Sequence, residues 1–185
     1  MEIVESGTSA LDIARATMYF YSVQEQRLKT QLNELLDPMG LQKRLYFSQM
    51  FSLYFFKKSL FYEDFEAWEY GPVIPELYQT KKYTPELLNQ EYIPQRFEEI
   101  IIETVFNILL TTSSVILSDI SHEKNSAWQR LYQDHKLHIK IPKKDIIDYP
   151  CQSLIKASEL FLNQEEEKRK NMPLLIGKDE LLDAF

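Results

Sequence analysis

Leu11, Ala14, Met18 and Tyr21 recur at helical spacing and predict a helix over 10–36, with Ser9 or Thr8 placed to cap its first amides. Asp37-Pro38 follows, an acceptor side chain and then a proline whose missing N–H costs nothing in a first helical turn. The helix opened there is expected over 38–56, carried by Leu41, Leu45, Met50, Leu53 and Tyr54. Between Met50 and Phe56 apolar groups lie all around the wheel, which predicts burial on most sides. Lys57-Lys58-Ser59 breaks the pattern. A partly alternating run, Phe65 to Tyr70, reads as a short strand ended by Gly71-Pro72, and Pro75 restarts a short helix through Tyr78.

The region 83–94 reads as a polar connection. Beyond it, Phe97, Ile100, Ile101, Val105, Ile108 and Leu109 form the strongest helical stripe, predicting a helix over 96–110. Helices over 114–121 and 126–135 are expected next. Leu137, Ile139 and Ile141 then alternate with Lys136, His138 and Lys140, the period-2 pattern of a half-buried strand. Terminal helices are expected over 143–149 and 152–170, followed by a tail that carries Leu174, Leu175, Leu181 and Leu182. The expected fold is mainly α: a compact single-domain helical fold with a small β element of about two short strands.

Composition narrows the function. The chain has 185 residues, 44% of them hydrophobic, which is enough for one real core. Its formal net charge of −7 gives no general attraction to DNA or RNA, so no direct nucleic-acid binding is expected. A single cysteine, Cys151, excludes an internal disulfide or a multi-cysteine zinc site. The first dozen residues hold no apolar run of signal-peptide length, and Glu103 and Asn107 interrupt the longest apolar segment. A cytoplasmic protein without a membrane partner is therefore expected.

Catalytic patterns are absent from the sequence. None of the 4 glycines sits in a phosphate-cradling spacing. His135 and His138 would share a helix face but point to opposite sides of a strand, so no metal and no cofactor are expected. His122, beside Ser121 and with Glu123 or Asp119 near, reads as a helix-end histidine bonded to backbone, the alternative being a small enzyme built on it. Glu63, Asp64, Glu66 and Glu69 read as a solvated acidic edge rather than an acid/base set; on a strand, Asp64 and Glu66 would share a face with Trp68.

Two surface elements carry more information. Lys136, His138, Lys140, Lys143 and Lys144 make a basic strip, either a docking surface for an acidic partner or for RNA backbone, or lysine protection of a strand edge. Trp68, Tyr70 and Tyr78 flank Gly71-Pro72-Val73-Ile74-Pro75, where two prolines leave few conformers. That element suits a preorganised contact site, or else Trp68 and Tyr78 anchor the core.

Three blocks of the chain resemble the Panacea domain of SocA-like, often phage-associated antitoxins. They are Ala10-Leu11-Asp12-Ile13-Ala14-Arg15; Leu41-Gln42-Lys43-Arg44-Leu45-Tyr46-Phe47-Ser48-Gln49, continuing through Phe65-Glu66-Ala67-Trp68-Glu69-Tyr70-Gly71-Pro72-Val73-Ile74-Pro75; and Leu117-Ser118-Asp119-Ile120-Ser121-His122 with Trp128. The likeness covers about 1–150 and leaves 151–185 as a C-terminal helix and tail. Arg44 stands where the family usually has an apolar residue, Ser121 where it has Thr, and Ala127 where it has Pro. The resemblance implies a binding protein rather than an enzyme: an antitoxin that neutralises a cognate toxin, encoded nearby, by direct protein contact. The alternative it implies is an adaptor delivering the toxin to a AAA+ protease, engaged through the tail. The candidate toxin-binding residues are Trp68, Tyr70, Tyr78, Lys136, His138 and Lys140.

Overall fold

The computed structural model describes residues 2–79, 92–136 and 138–171. Helix α1 (Ala10–Leu28) starts on Ser9, whose side chain accepts from the Asp12 amide, and ends on Lys29 in the left-handed region. It stops short of the expected 10–36. The Glu25 carboxylate accepts the Leu32 amide at 2.8 Å and turns the chain back, so Leu32 and Leu36 reach the core through a 3-10 turn (Asn33–Leu36). Helix α2 (Pro38–Phe51) opens as the sequence predicts, with Asp37 accepting from the Gly40 amide at 2.6 Å. One π-helical turn (Ser52–Phe56) extends it to Lys57, at φ 54°.

Strands β1 (Phe65–Trp68) and β2 (Gly71–Val73) form an antiparallel hairpin turned at Glu69-Tyr70, with Trp68 opposite Gly71 and Glu66 opposite Val73. The Gly71-Pro72 pair, expected to end a strand, instead begins one. Proline is tolerated because β2 is an edge strand. After α3 (Pro75–Gln79) come α4 (Arg96–Leu109), α5 (Ser114–Ser121) and α6 (Ala127–Leu131). Strand β3 (Lys140–Ile141) pairs with the other edge of β1, Phe65 opposite Ile141, in the order β2-β1-β3. Helices α7 (Lys143–Asp148) and α8 (Gln152–Asn171) complete the described chain. The mainly α fold with a small β element is as expected, with three short strands rather than two.

Two expectations need correction. The helix expected over 126–135 ends at Leu131, where Tyr132 becomes extended. The strand expected over 136–141 shrinks to Lys140–Ile141, because His135 and His138 adopt φ of 60° and 62°. A left-handed residue breaks the pleat, so alternation in the sequence does not carry through it. Most of the connection expected over 83–94 lies outside the described residues, as do Leu137 and the tail after Asn171.

Helix α2 is the axis of the molecule, packed by α1, α4, α5 and β2. Every side chain from Gly40 to Phe51 is buried, polar ones included. Several of the polar groups are matched to backbone that would otherwise lack a partner, whereas the Tyr46 hydroxyl is buried without one among the described residues. Gln42 accepts the Ile74 amide at 2.9 Å, and Gln49 accepts the Leu60 amide at 2.6 Å while donating to the Phe61 carbonyl at 3.0 Å. Ser52, in the π turn, donates to the Lys58 carbonyl. Residues after Pro150 join the same core through Leu154 and Ile155. Among the described residues no single helix is long and apolar enough to cross a membrane; α4 and α5 would have the composition only together, and they meet at a 102° bend.

Candidate functional site

The β1–β2 hairpin is held by its carbonyls. The Trp128 indole N–H donates to Trp68 O at 2.8 Å, Ser118 Oγ to Tyr70 O at 3.1 Å, and Lys43 Nζ to Pro72 O at 3.1 Å. Three alternate carbonyls of the tip are thus fixed by three side chains from α6, α5 and α2. Gly71, at φ 99°, closes this arrangement: a Cβ there would stand 2.5 Å from Ser121 Oγ and 2.6 Å from Lys43 Cε. Only glycine lets the tip sit this close to α2 and α5.

Pinned in this way, the hairpin forms one wall of a groove of about 550 Å³. Trp68, Tyr70, Val73 and Tyr78 line it from the hairpin side, Pro38, Met39, Gln42 and Lys43 from α2, and Tyr132, Asp134, His135 and Lys136 from the segment after α6. Trp68 is half-buried, with its ring edge-on to Tyr78 at 5.1 Å and its indole N–H bonded to Glu66 at 2.9 Å. Tyr70 and Tyr78 are 66% and 48% exposed, whereas Trp128 is the tryptophan seated in the core. The reading of Trp68 and Tyr78 as core anchors therefore gives way to wall residues of an open site.

The six candidate residues separate into two sets. Trp68, Tyr70, Tyr78 and Lys136 line the groove. His138 and Lys140 are instead engaged with the carboxylates of β1 and its approach: His138 Nδ1 lies 3.3 Å from Glu66 and Lys140 Nζ 3.3 Å from Asp64. Lys143 lies 3.1 Å from Glu5. The basic strip is thus largely matched by acids of the same molecule. The carboxylates are only partly a solvated edge: Glu69 is exposed, but Glu66 is buried, and Glu63 accepts the first amide of α1, from Ala10, at 2.8 Å. Burial holds the Glu63 carboxyl above its ordinary range, with the α1 amide pulling the other way.

His122 caps α5 through its backbone amide, as expected of a helix-end histidine. Its ring stacks on Trp128 at 3.7 Å, and Trp128 stacks in turn on Tyr132 at 4.7 Å. Its Nε2 is buried without a hydrogen bond, and burial together with the Lys43 charge lowers its pKa. Among the described residues no three metal-ligating side chains gather.

Lys43 is the residue that sequence reasoning passed over. It is 1% exposed, and Pro72 O is its hydrogen-bonded acceptor. Among the described residues no carboxylate lies within ion-pair reach, and burial pushes the ammonium down to about 7. Gln42-Lys43-Arg44, three polar residues in a row, lies ahead of the stretch from Met50 to Phe56 for which enclosure is predicted, so the sequence carried no signal of its burial. Arg44 points elsewhere, as a hub between α1 and the start of α5.

Residues 41–129 match the family model described as Antitoxin SocA-like, Panacea domain. The matched stretch contains α2, the hairpin, α5 and Trp128, the parts that build and pin the groove wall. No curated protein and no solved structure matches the chain.

Proposed function

We propose that this chain, whose residues 41–129 match the Panacea domain of SocA-like antitoxins, neutralises a cognate toxin by direct protein contact and transforms no substrate itself. The observation that supports this reading is the pinned hairpin. A tip whose carbonyls are already bonded loses little freedom on binding, so exposed aromatics mounted on it gain affinity at low entropic cost. Tyr70 and Tyr78, with Trp68 between wall and floor, are the contact residues in this reading; aromatic side chains of this kind dominate binding energy at protein interfaces.

Co-expression tests it. A neighbouring gene that arrests growth alone should be tolerated with this chain present, and the two proteins should co-purify. Trp68→Ala or Tyr78→Ala should abolish protection while the protein stays folded by circular dichroism. If no adjacent gene is toxic, or if both variants protect fully, the reading fails. His122→Ala should protect as the parent does, since the ring is a packing element against Trp128.

A further inference from the structure

Lys43 lies at the groove lining as a buried amine that, among the described residues, has no carboxylate partner when protonated. Its ammonium has three N–H donors and one acceptor, the Pro72 carbonyl. Buried charges are ordinarily paired, because a lone one forfeits its hydration with nothing in return. Met39, Trp68, Tyr70, Val73, Tyr78 and Tyr132 make much of the surrounding wall aromatic or apolar, so a carboxylate arriving at the protonated amine would be partly shielded from water. Glu69 and Asp134 are exposed carboxylates of the same lining, beside the exposed His135 and Lys136. One buried amine takes one acid.

Apolar surface continues past the groove. Ser114, at the start of α5, donates to Asp37 at 2.8 Å, which sets the exposed Val115 and Ile116 next to Pro38 and Met39. A chain end would need only the groove; a segment passing through has apolar surface to cover on both sides.

Resting on the antitoxin reading, we infer that the groove receives an internal segment of the toxin bearing one Asp or Glu between apolar side chains, its carboxylate pairing with Lys43. The paired acid supplies the missing counter-ion, and its apolar neighbours pack on Trp68 and Met39.

Capped tripeptides test this without the toxin. The full chain, labelled with ¹⁵N, is titrated with acetyl-Phe-Glu-Leu-amide, with its Gln counterpart, and with acetyl-Phe-Leu bearing a free C-terminus. Amide shifts of Gly71 and Val73 and the Trp68 indole shift are followed. A charged hydrogen bond should favour the Glu peptide over the Gln peptide at least about tenfold. Equal binding of the two overturns the inference, and tighter binding of the free C-terminus overturns the choice of an internal segment. In Lys43→Met the preference for Glu should vanish; because that variant can lose fold, the Glu/Gln ratio of the parent decides by itself. Neutralisation of a neighbouring toxin with no Glu preference defeats this inference alone. Glu preference without any toxic neighbour defeats the antitoxin reading alone.

Discussion

Arg44 Nε donates to Tyr21 Oη at 2.7 Å, joining α2 to α1 inside the core. The same guanidinium donates to Leu35 O at 2.9 Å, Gly40 O at 3.4 Å and Thr112 O at 2.7 Å. One side chain thereby closes the 3-10 turn, the first turn of α2 and the link from α4 to α5. No carboxylate takes part; the charge is spread over carbonyl dipoles and the Tyr21 phenol. Burial raises the Tyr21 pKa, with Arg44 acting against that rise.

Arg44→Met should therefore cost more than a cavity of its size, because three backbone carbonyls and a phenol lose their donor at once. A loss of about 3 kcal/mol or more is expected in urea unfolding. Tyr21→Phe removes one acceptor and should cost about 1–3 kcal/mol. Equal stability of both variants and parent would show the hub to be energetically idle.

Gly71→Ala should be among the most damaging single-methyl changes in the chain. The new Cβ meets Ser121 Oγ and Lys43 Cε inside 3 Å, and the residue must also hold a φ of 99°. A penalty of roughly 2–4 kcal/mol is expected, read as a shift of the urea midpoint. Loss of the Trp128–Trp68 hydrogen bond, seen in the indole proton shift, should accompany it.

Stability should rise with pH from about 7 toward 9. Burial holds the Lys43 amine down to about 7, while the unfolded chain keeps that proton through the ordinary lysine range. The unfolded state thus binds more protons in this window, and unfolding grows costlier by up to about 1.4 kcal/mol per pH unit. His122, lowered by burial and by Lys43 and raised by Asp119, adds the same sign at more acidic pH. From pH 9 the rise is offset, because burial raises the Cys151 thiol to about 12, and above about pH 10 it reverses, because burial raises Tyr46 well above its usual value too. The unfolded chain releases those protons first. Lys43→Met should flatten the rise between 7 and 9 and leave the alkaline fall; a parent profile flat across that interval contradicts the assignment.

Cys151 should resist thiol reagents in the native protein. It is fully buried, and its thiolate is disfavoured by burial and by Glu123. Labelling should occur at the rate of global unfolding and accelerate in step with added urea. Rapid stoichiometric labelling in buffer would place the thiol at the surface.

Much of the helical scaffold was legible in the residues. Asp37-Pro38 marked the start of α2, the helix expected over 114–121 coincides with α5, and the apolar stripe from Phe97 to Leu109 defined α4 to within a residue. What escaped was decided by single left-handed residues and by tertiary partners. Lys29 ends α1, and His135 with His138 break a strand that alternation alone would extend. The hairpin was half seen: Phe65 to Trp68 read correctly as a strand, but Pro72 masked β2 because an edge position hides its missing N–H. The groove's aromatic wall was legible from Trp68, Tyr70 and Tyr78. Its floor was not, because a lysine between a glutamine and an arginine reads as solvated unless the helix is known to be surrounded.

The enclosure of α2 has a consequence for how the molecule comes apart. Its polar side chains terminate the hydrogen bonding of segments distant in sequence, so no peripheral piece can leave without stranding a partner in the interior. Among the described residues fraying should stay confined to the far end of α8, and the rest of them should melt in one concerted step. Within those residues a cellular protease would find a loose start only in that whole-body event, so cleavage inside them should track global stability.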